Sequence, residues 1–100
     1  MARKAAPSKQ ALLLEGDLDI FSIQQQWEKA LPLVAGATGI AEVDLSALGD
    51  LDLSGLQLLG ALDRDLRAKG VTLAVLGARD EWKARFAALG MAHLVDGAHP

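Results

Sequence analysis

Residues 43–78 read VDLSALGDLDLSGLQLLGALDRDLRAKGVTLAVLGA, and this stretch decides the fold. It begins inside an apolar run, IAEVDLS at residues 40–46, that reads as a strand, with ALGD after it as a short loop. Behind the acidic DLDLSG, leucines recur at helical spacing. Placed at steps of about 100° per residue, Leu56, Leu59, Leu62 and Leu66 share one arc of a helix running from about Ser54 to Lys69. Gly70 is the expected left-handed stop. VTLAVLG, residues 71–77, is then a strand that is apolar at nearly every position, the pattern of a strand buried on both faces of a parallel sheet. A strand, a helix and a second strand in this order form a crossover unit, which is right-handed by strong preference.

The flanks extend the same alternation. QALLLEG, residues 10–16, reads as an earlier strand bounded by Gly16 and Asp17. A helix follows, with Ser22 at its N-cap and Gln25 at capping-box spacing. Ile23, Trp27, Ala30, Leu31 and Val34 form its apolar stripe, with Gln24, Gln25, Glu28 and Lys29 on the other side. Pro32 is expected to kink or end this helix, and GATG at residues 36–39 to form a turn. Downstream, ARDEWKARFAALG at residues 78–90 is a third helix. Trp82, Phe86 and Leu89 form its buried stripe, and Asp80 and Glu81 in the first turn with Lys83 and Arg85 beyond suit the macrodipole. HLV, residues 93–95, is expected as a short last strand. Residues 1–9 read as a leader made mildly basic by Arg3, Lys4 and Lys9, and residues 10–100 as a single domain. The order β-α-β-α-β-α-β implies an α/β domain with a mainly parallel sheet.

Bulk composition sets limits. One hundred residues suffice for one domain, and 51% hydrophobic content supports a packed core. With only 4% aromatic residues that core is aliphatic, with Trp27, Trp82, Phe21 and Phe86 as its bulky pieces. A net charge of −3 argues against a general nucleic-acid binder. The absence of cysteine removes disulfides, thiolate nucleophiles and cysteine metal sites. His93 and His99, the only histidines, lack a ligand partner at useful spacing and read as incidental. No apolar run reaches the roughly 18 residues of a membrane span, and MARKAAPSKQ does not read as a signal peptide, so a cytoplasmic protein is expected.

Three features of the DLDLSG region invite a functional reading. Ser54-Gly55-Leu56-Gln57 has capping-box form, which gives Ser54 a structural role worth about 1 kcal/mol. A phosphate on Ser54 would gain from the helix N-terminus but would be repelled by Asp50 and Asp52. Asp44, Asp50 and Asp52 are spread without metal-loop spacing and read as solvated loop charges, so no metal or cofactor is expected. No nucleophile–base pair or glycine-rich phosphate loop accompanies them. The outer arc of the helix carries Gln57, Gly60, Ala61, Arg64 and Ala68, which is small and weakly charged for a face turned to water. Such a face permits close approach of another backbone, or it reflects helix propensity alone.

The same residues resemble the STAS domain family, which contains the bacterial anti-sigma factor antagonists. Asp44-Leu45-Ser46 matches that family's strand end, Asp52-Leu53-Ser54-Gly55-Leu56 its helix opening, and Gly16-Asp17-Leu18-Asp19-Ile20 the element before its first helix. The resemblance covers roughly residues 10–96. It implies a mixed or mostly parallel sheet of four to five strands with helices packed mainly on one side. It also implies a non-enzymatic protein-interaction module that docks through residues 50–53 and helix 54–69. The implied contact residues are Asp50, Asp52, Leu53, Ser54, Gly55, Gln57, Gly60, Ala61 and Arg64. Implied partners are an anti-sigma factor or its kinase, a chemotaxis protein, or the ATPase of a lipid-transport ABC complex, with neither nucleic acid nor membrane insertion involved. In regulated relatives the residue after the motif aspartate is the phosphorylated Ser or Thr. Here it is Leu53, which has no hydroxyl, so constitutive apolar contact is expected in place of the switch, with Ser54 as the alternative acceptor.

Overall fold

The computed structural model describes residues 10–95. The expected leader at residues 1–9 and the tail with His99 lie outside the described residues. The elements are β1 (Ala11–Leu18), α1 (Ile23–Gly36), β2 (Ile40–Leu51), α2 (Leu53–Arg67), β3 (Thr72–Leu76), α3 (Asp80–Ala88) and α4 (Ala92–Val95). The strands form one sheet in the order β1-β2-β3, and both pairs are parallel. Successive right-handed crossovers that step the same way across a sheet deliver their helices to the same face. α1 and α2 accordingly pack on each other over one side of the sheet.

That side holds the core. Leu14, Leu18, Ala41, Val43, Leu45, Leu73 and Val75 from the strands meet Ala30 and Leu33 of α1, Leu59, Leu62 and Leu66 of α2, and Trp82 and Phe86 of α3. The four leucines expected on the inner arc of α2 are all buried. The opposite sheet face is partly open, with Leu13, Ile40 and Leu76 at 49%, 41% and 38% exposure. β3 is therefore not covered throughout on both faces, as its apolar run had implied. Leu73, Ala74 and Val75 are buried and Leu76 is exposed.

Several sequence expectations are corrected. Among the described residues the sheet has three strands, not four to five. Residues 93–95 belong to α4, where a helical turn seats Leu94 in the core. ALGD is not a loop: β2 runs on to Leu51, with Glu15 opposite Ala47, Gly16 opposite Leu48 and Leu18 opposite Leu51. Two register shifts in this pairing break the alternation that would have revealed a strand, and Gly16, at φ +79°, supplies the left-handed residue such an irregularity needs. α1 continues through Pro32 to Gly36, because Pro32 lies on its exposed side, where solvent can serve the carbonyl left unpaired.

The β1–α1 connection is also rearranged. The Ser22–Gln25 capping box does not form. The Ser22 hydroxyl instead donates to the Asp17 carbonyl at 2.7 Å and accepts from the Asp19 amide at 3.1 Å. Phe21, expected in the core, is 94% exposed. Trp27 is only partly buried and Leu31 is exposed, whereas Gln26 is buried. Its amide nitrogen donates to the carbonyls of Glu15 and Asp17, at 2.8 and 2.9 Å, where β1 departs from regular pairing. Satisfying two backbone acceptors under a bulge is sufficient reason for a polar side chain in that place.

Candidate functional site

The mouth of α2 is built by Gly55 and Asp52. A Cβ on Gly55 would lie 2.4 Å from the Leu18 carbonyl oxygen and 2.6 Å from Leu51 Cδ1. Only glycine lets the first turn of α2 approach the ends of β1 and β2 so closely. Asp52 is the N-cap. One carboxylate oxygen accepts from the Gly55 amide at 3.1 Å, and the other accepts from the Ile20 amide at 3.2 Å. A single side chain thus closes the helix end and ties down the β1–α1 connection.

This corrects the assignment of the cap to Ser54. The helix begins one residue earlier than its leucine pattern implied, so Leu53 and Ser54 occupy its first turn and the carboxylate before them does the capping. Ser54 is half-buried. Leu53 is 56% exposed.

Beside Leu53 runs an apolar groove of about 410 Å³ between α2 and α3, lined by Asp52, Leu53, Leu56, Arg85, Ala88 and Leu89. Leu89, assigned by spacing to the buried stripe of α3, is 46% exposed and forms part of this wall. Ile20, whose backbone amide bonds to Asp52, and Phe21 are both exposed. The surface around residue 53 is therefore apolar along a groove contributed by the start of α2 and the end of α3.

Charge borders this surface. Asp17, Asp19, Asp50 and Asp52 lie at the ends of β1 and β2, and none takes part in a salt bridge among the described residues. On the α3 side, Arg79 donates to the Leu48 carbonyl at 2.9 Å and stacks over Trp82, and Arg85 donates to the Leu51 carbonyl at 2.8 Å. Both guanidinium groups thus anchor α3 to the end of β2 through backbone, with their charge left unneutralised. Among the described residues no three carboxylate or imidazole side chains converge closely enough to hold a metal ion.

The expected contact residues separate into three groups. Asp50, Asp52 and Leu53 lie at the mouth, together with half-buried Ser54. Gln57 and Arg64 are exposed and Ala61 half-buried along α2. Gly55 is buried, and its part is architectural. Gly60 is half-buried and faces Met91, between α3 and α4: a Cβ there would meet Met91 Sδ at 3.1 Å. That side of α2 is partly covered by the α3–α4 segment. His93 Nε2 lies 3.1 Å from Asp63 Oδ2 and 2.9 Å from Arg67 Nη2, and Arg67 also pairs with Asp63 at 2.7 Å. His93 thus ties α4 to α2. Arg85, Ala88 and Leu89 line the groove but were not among the expected contact residues. An apolar residue beside a helix start or within a helical stripe ordinarily signals packing, so nothing local distinguished them.

The STAS_2 family, described as "Mlab, STAS domain", matches the chain over residues 1–96. No curated protein matches it. Among solved structures, the unphosphorylated form of the anti-sigma factor antagonist SpoIIAA is similar with TM-score 0.70 and 22% identity, covering 85% of this chain and 75% of that one. The STAS domain of a SulP transporter from Vibrio cholerae gives TM-score 0.64 and 18% identity, covering 85% and 70%. A sulfate transporter family protein from Wolinella succinogenes gives 0.66 and 14%, covering 86% and 75%. The chain belongs to the STAS domain family, and its α/β architecture is the one these structures share.

Proposed function

We propose that this STAS-domain chain is a non-enzymatic protein-interaction module of a bacterial regulatory system, similar in task to the anti-sigma factor antagonists. It docks through residues 50–53 and the start of α2. The observation that carries this reading is Leu53, an apolar side chain more than half exposed in the first turn of α2, with an apolar groove beside it. Exposed aliphatic surface next to a preformed groove favours burial against another protein, at about 25 cal/mol per Å² of apolar area removed from water. Where regulated relatives present a hydroxyl, this chain presents a side chain that no kinase can modify. Affinity therefore comes from contact and is held constant.

Half-buried Ser54 lies one residue further into the helix, and phosphate there would meet the uncompensated charges of Asp50 and Asp52. A second reading is the STAS subunit of a lipid-transport ABC complex or of a chemotaxis signalling cluster, for which the matching family, described as "Mlab, STAS domain", leaves room. Both readings use the same surface and differ in the occupant. Capture of partners from the native cell with wild-type protein and with Leu53→Glu separates them. Recovery of a sigma-factor regulator supports the first, and recovery of an ABC ATPase or a chemotaxis protein the second. Equal recovery of the same partner by both forms of the protein defeats docking at this surface.

A further inference from the structure

The three strands form an all-parallel sheet, a kind ordinarily covered on both faces. Side chains alternate along a strand. With Leu14, Val43, Leu45, Leu73 and Val75 in the core, Leu13, Asp44 and Leu76 stand on the opposite face, together with Ile40, Glu42 and Ala74. The register sets Leu13, Asp44 and Leu76 in one row across the sheet, and Glu42 beside Ala74 in the row before it. Ala74 is buried, the two carboxylates are half-buried, and Leu13, Ile40 and Leu76 are exposed. No strand contains a lysine or arginine. Asp44 accepts from the Ser46 amide at 2.8 Å, and neither it nor Glu42 forms a salt bridge among the described residues. This face is thus a pair of acids framed by exposed aliphatic side chains.

The chain carries the complement itself. Residues 1–9 include Arg3, Lys4 and Lys9 and no acidic residue. They enter the domain at Gln10, whose side chain is fastened at the start of β2: its Nε2 donates to the Ile40 carbonyl at 2.6 Å, and its Oε1 accepts from the Thr38 hydroxyl at 3.0 Å. A segment of that length reaches about 30 Å when extended, and three strands measure only about 10 Å across. Pro7 has no amide donor, which suits a path over side chains better than a place in a ladder at the sheet edge. We infer that residues 1–9 lie across the open face of the sheet, their cations over Glu42 and Asp44 and their backbone over Leu13, Ile40 and Leu76. Attraction between partly solvated charges is weak and screened, so this cover exchanges and yields to salt. It occupies a different surface from the mouth of α2, and the docking proposed there stands or falls separately.

The chain has no cysteine, so Ala5→Cys carries a single nitroxide spin label on the full-length protein. Methyl NMR then reads the nearness of the label to Leu13, Ile40 and Leu76, with Leu53 and Leu89 of the groove as reference. Arg3→Glu combined with Lys4→Glu and Lys9→Glu keeps the tether and reverses its charge. It alters nothing in residues 10–95, so the domain keeps its fold. The native leader quenches the Leu13 and Leu76 signals more strongly than the reversed leader does. About 1 M salt, which shortens the screening length to about 3 Å, abolishes the difference. Glu42→Lys weakens the quenching by the native leader. Equal quenching by the native and reversed leaders at low salt overturns the inference, as does undiminished quenching in a folded Glu42→Lys protein. Quenching that passes from spin-labelled protein to separate isotope-labelled molecules mixed with it also overturns the inference, because the occupant is then a second copy.

Discussion

Replacing Asp52 by alanine removes two interactions that the structure assigns to one carboxylate. The first is the N-cap bond to the Gly55 amide at 3.1 Å, and the second is the bond to the Ile20 amide at 3.2 Å. Loss of an N-cap aspartate typically costs about 1 kcal/mol. The Ile20 bond lies at an exposed position and contributes about 1 kcal/mol more. The combined loss of about 2 kcal/mol lowers the melting temperature of a domain this size by roughly 10 °C. Asp52→Asn keeps an acceptor for Gly55 but turns a donor toward one of the two amides, so its cost is about half. Ser54→Ala is the control. Alanine is the better helix former, so this change stays within about 0.5 kcal/mol. Thermal and urea unfolding followed by circular dichroism measure all three, and hydrogen exchange at Ile20 and Gly55 reports which bond was lost. A costly Ser54→Ala beside a neutral Asp52→Ala would refute the capping assignment and restore the serine to that role.

Two further substitutions probe the scaffold under the site. Gly55→Ala drives a methyl group to within 2.4 Å of the Leu18 carbonyl, and backbone cannot yield as a side chain can. Overpacking of this kind costs about 1–3 kcal/mol, measurable as a lower urea midpoint. Gln26→Leu leaves the Glu15 and Asp17 carbonyls without their donor. The loss is on the order of 1–3 kcal/mol, with faster exchange of amides along β1.

What could be read in the sequence was whatever obeyed a single local rule. Leu56, Leu59, Leu62 and Leu66 repeat at helical spacing and are buried as expected. The crossover order then implied a parallel sheet, and the joint spacing of the blocks at residues 16–20, 44–46 and 52–56 carried the family resemblance. What escaped depended on contacts between segments distant in the chain. The register shifts opposite Gly16 turned ALGD into strand, and no alternation survives such a shift. Gln26 is buried because of carbonyls 9 and 11 residues away. Phe21 and Leu89 carry ordinary core side chains, and only the tertiary positions of the β1–α1 connection and the end of α3 leave them facing solvent. At the α2 mouth the sequence placed Leu53 correctly beside the helix start, but it credited Ser54 with the bond that Asp52 makes across to Ile20.

The most direct test is the affinity of an isolated natural partner for wild-type protein, for Leu53→Glu and for wild-type protein treated with phosphatase. Because Leu53 is exposed and a glutamate in the first turn suits the helix dipole, the variant keeps its melting temperature. Unmodified protein binds fully, phosphatase changes nothing, and the variant loses about 10-fold or more of the affinity, as expected for a buried apolar anchor. Undiminished binding by Leu53→Glu, or association governed by stoichiometric phosphate on Ser54, contradicts the account.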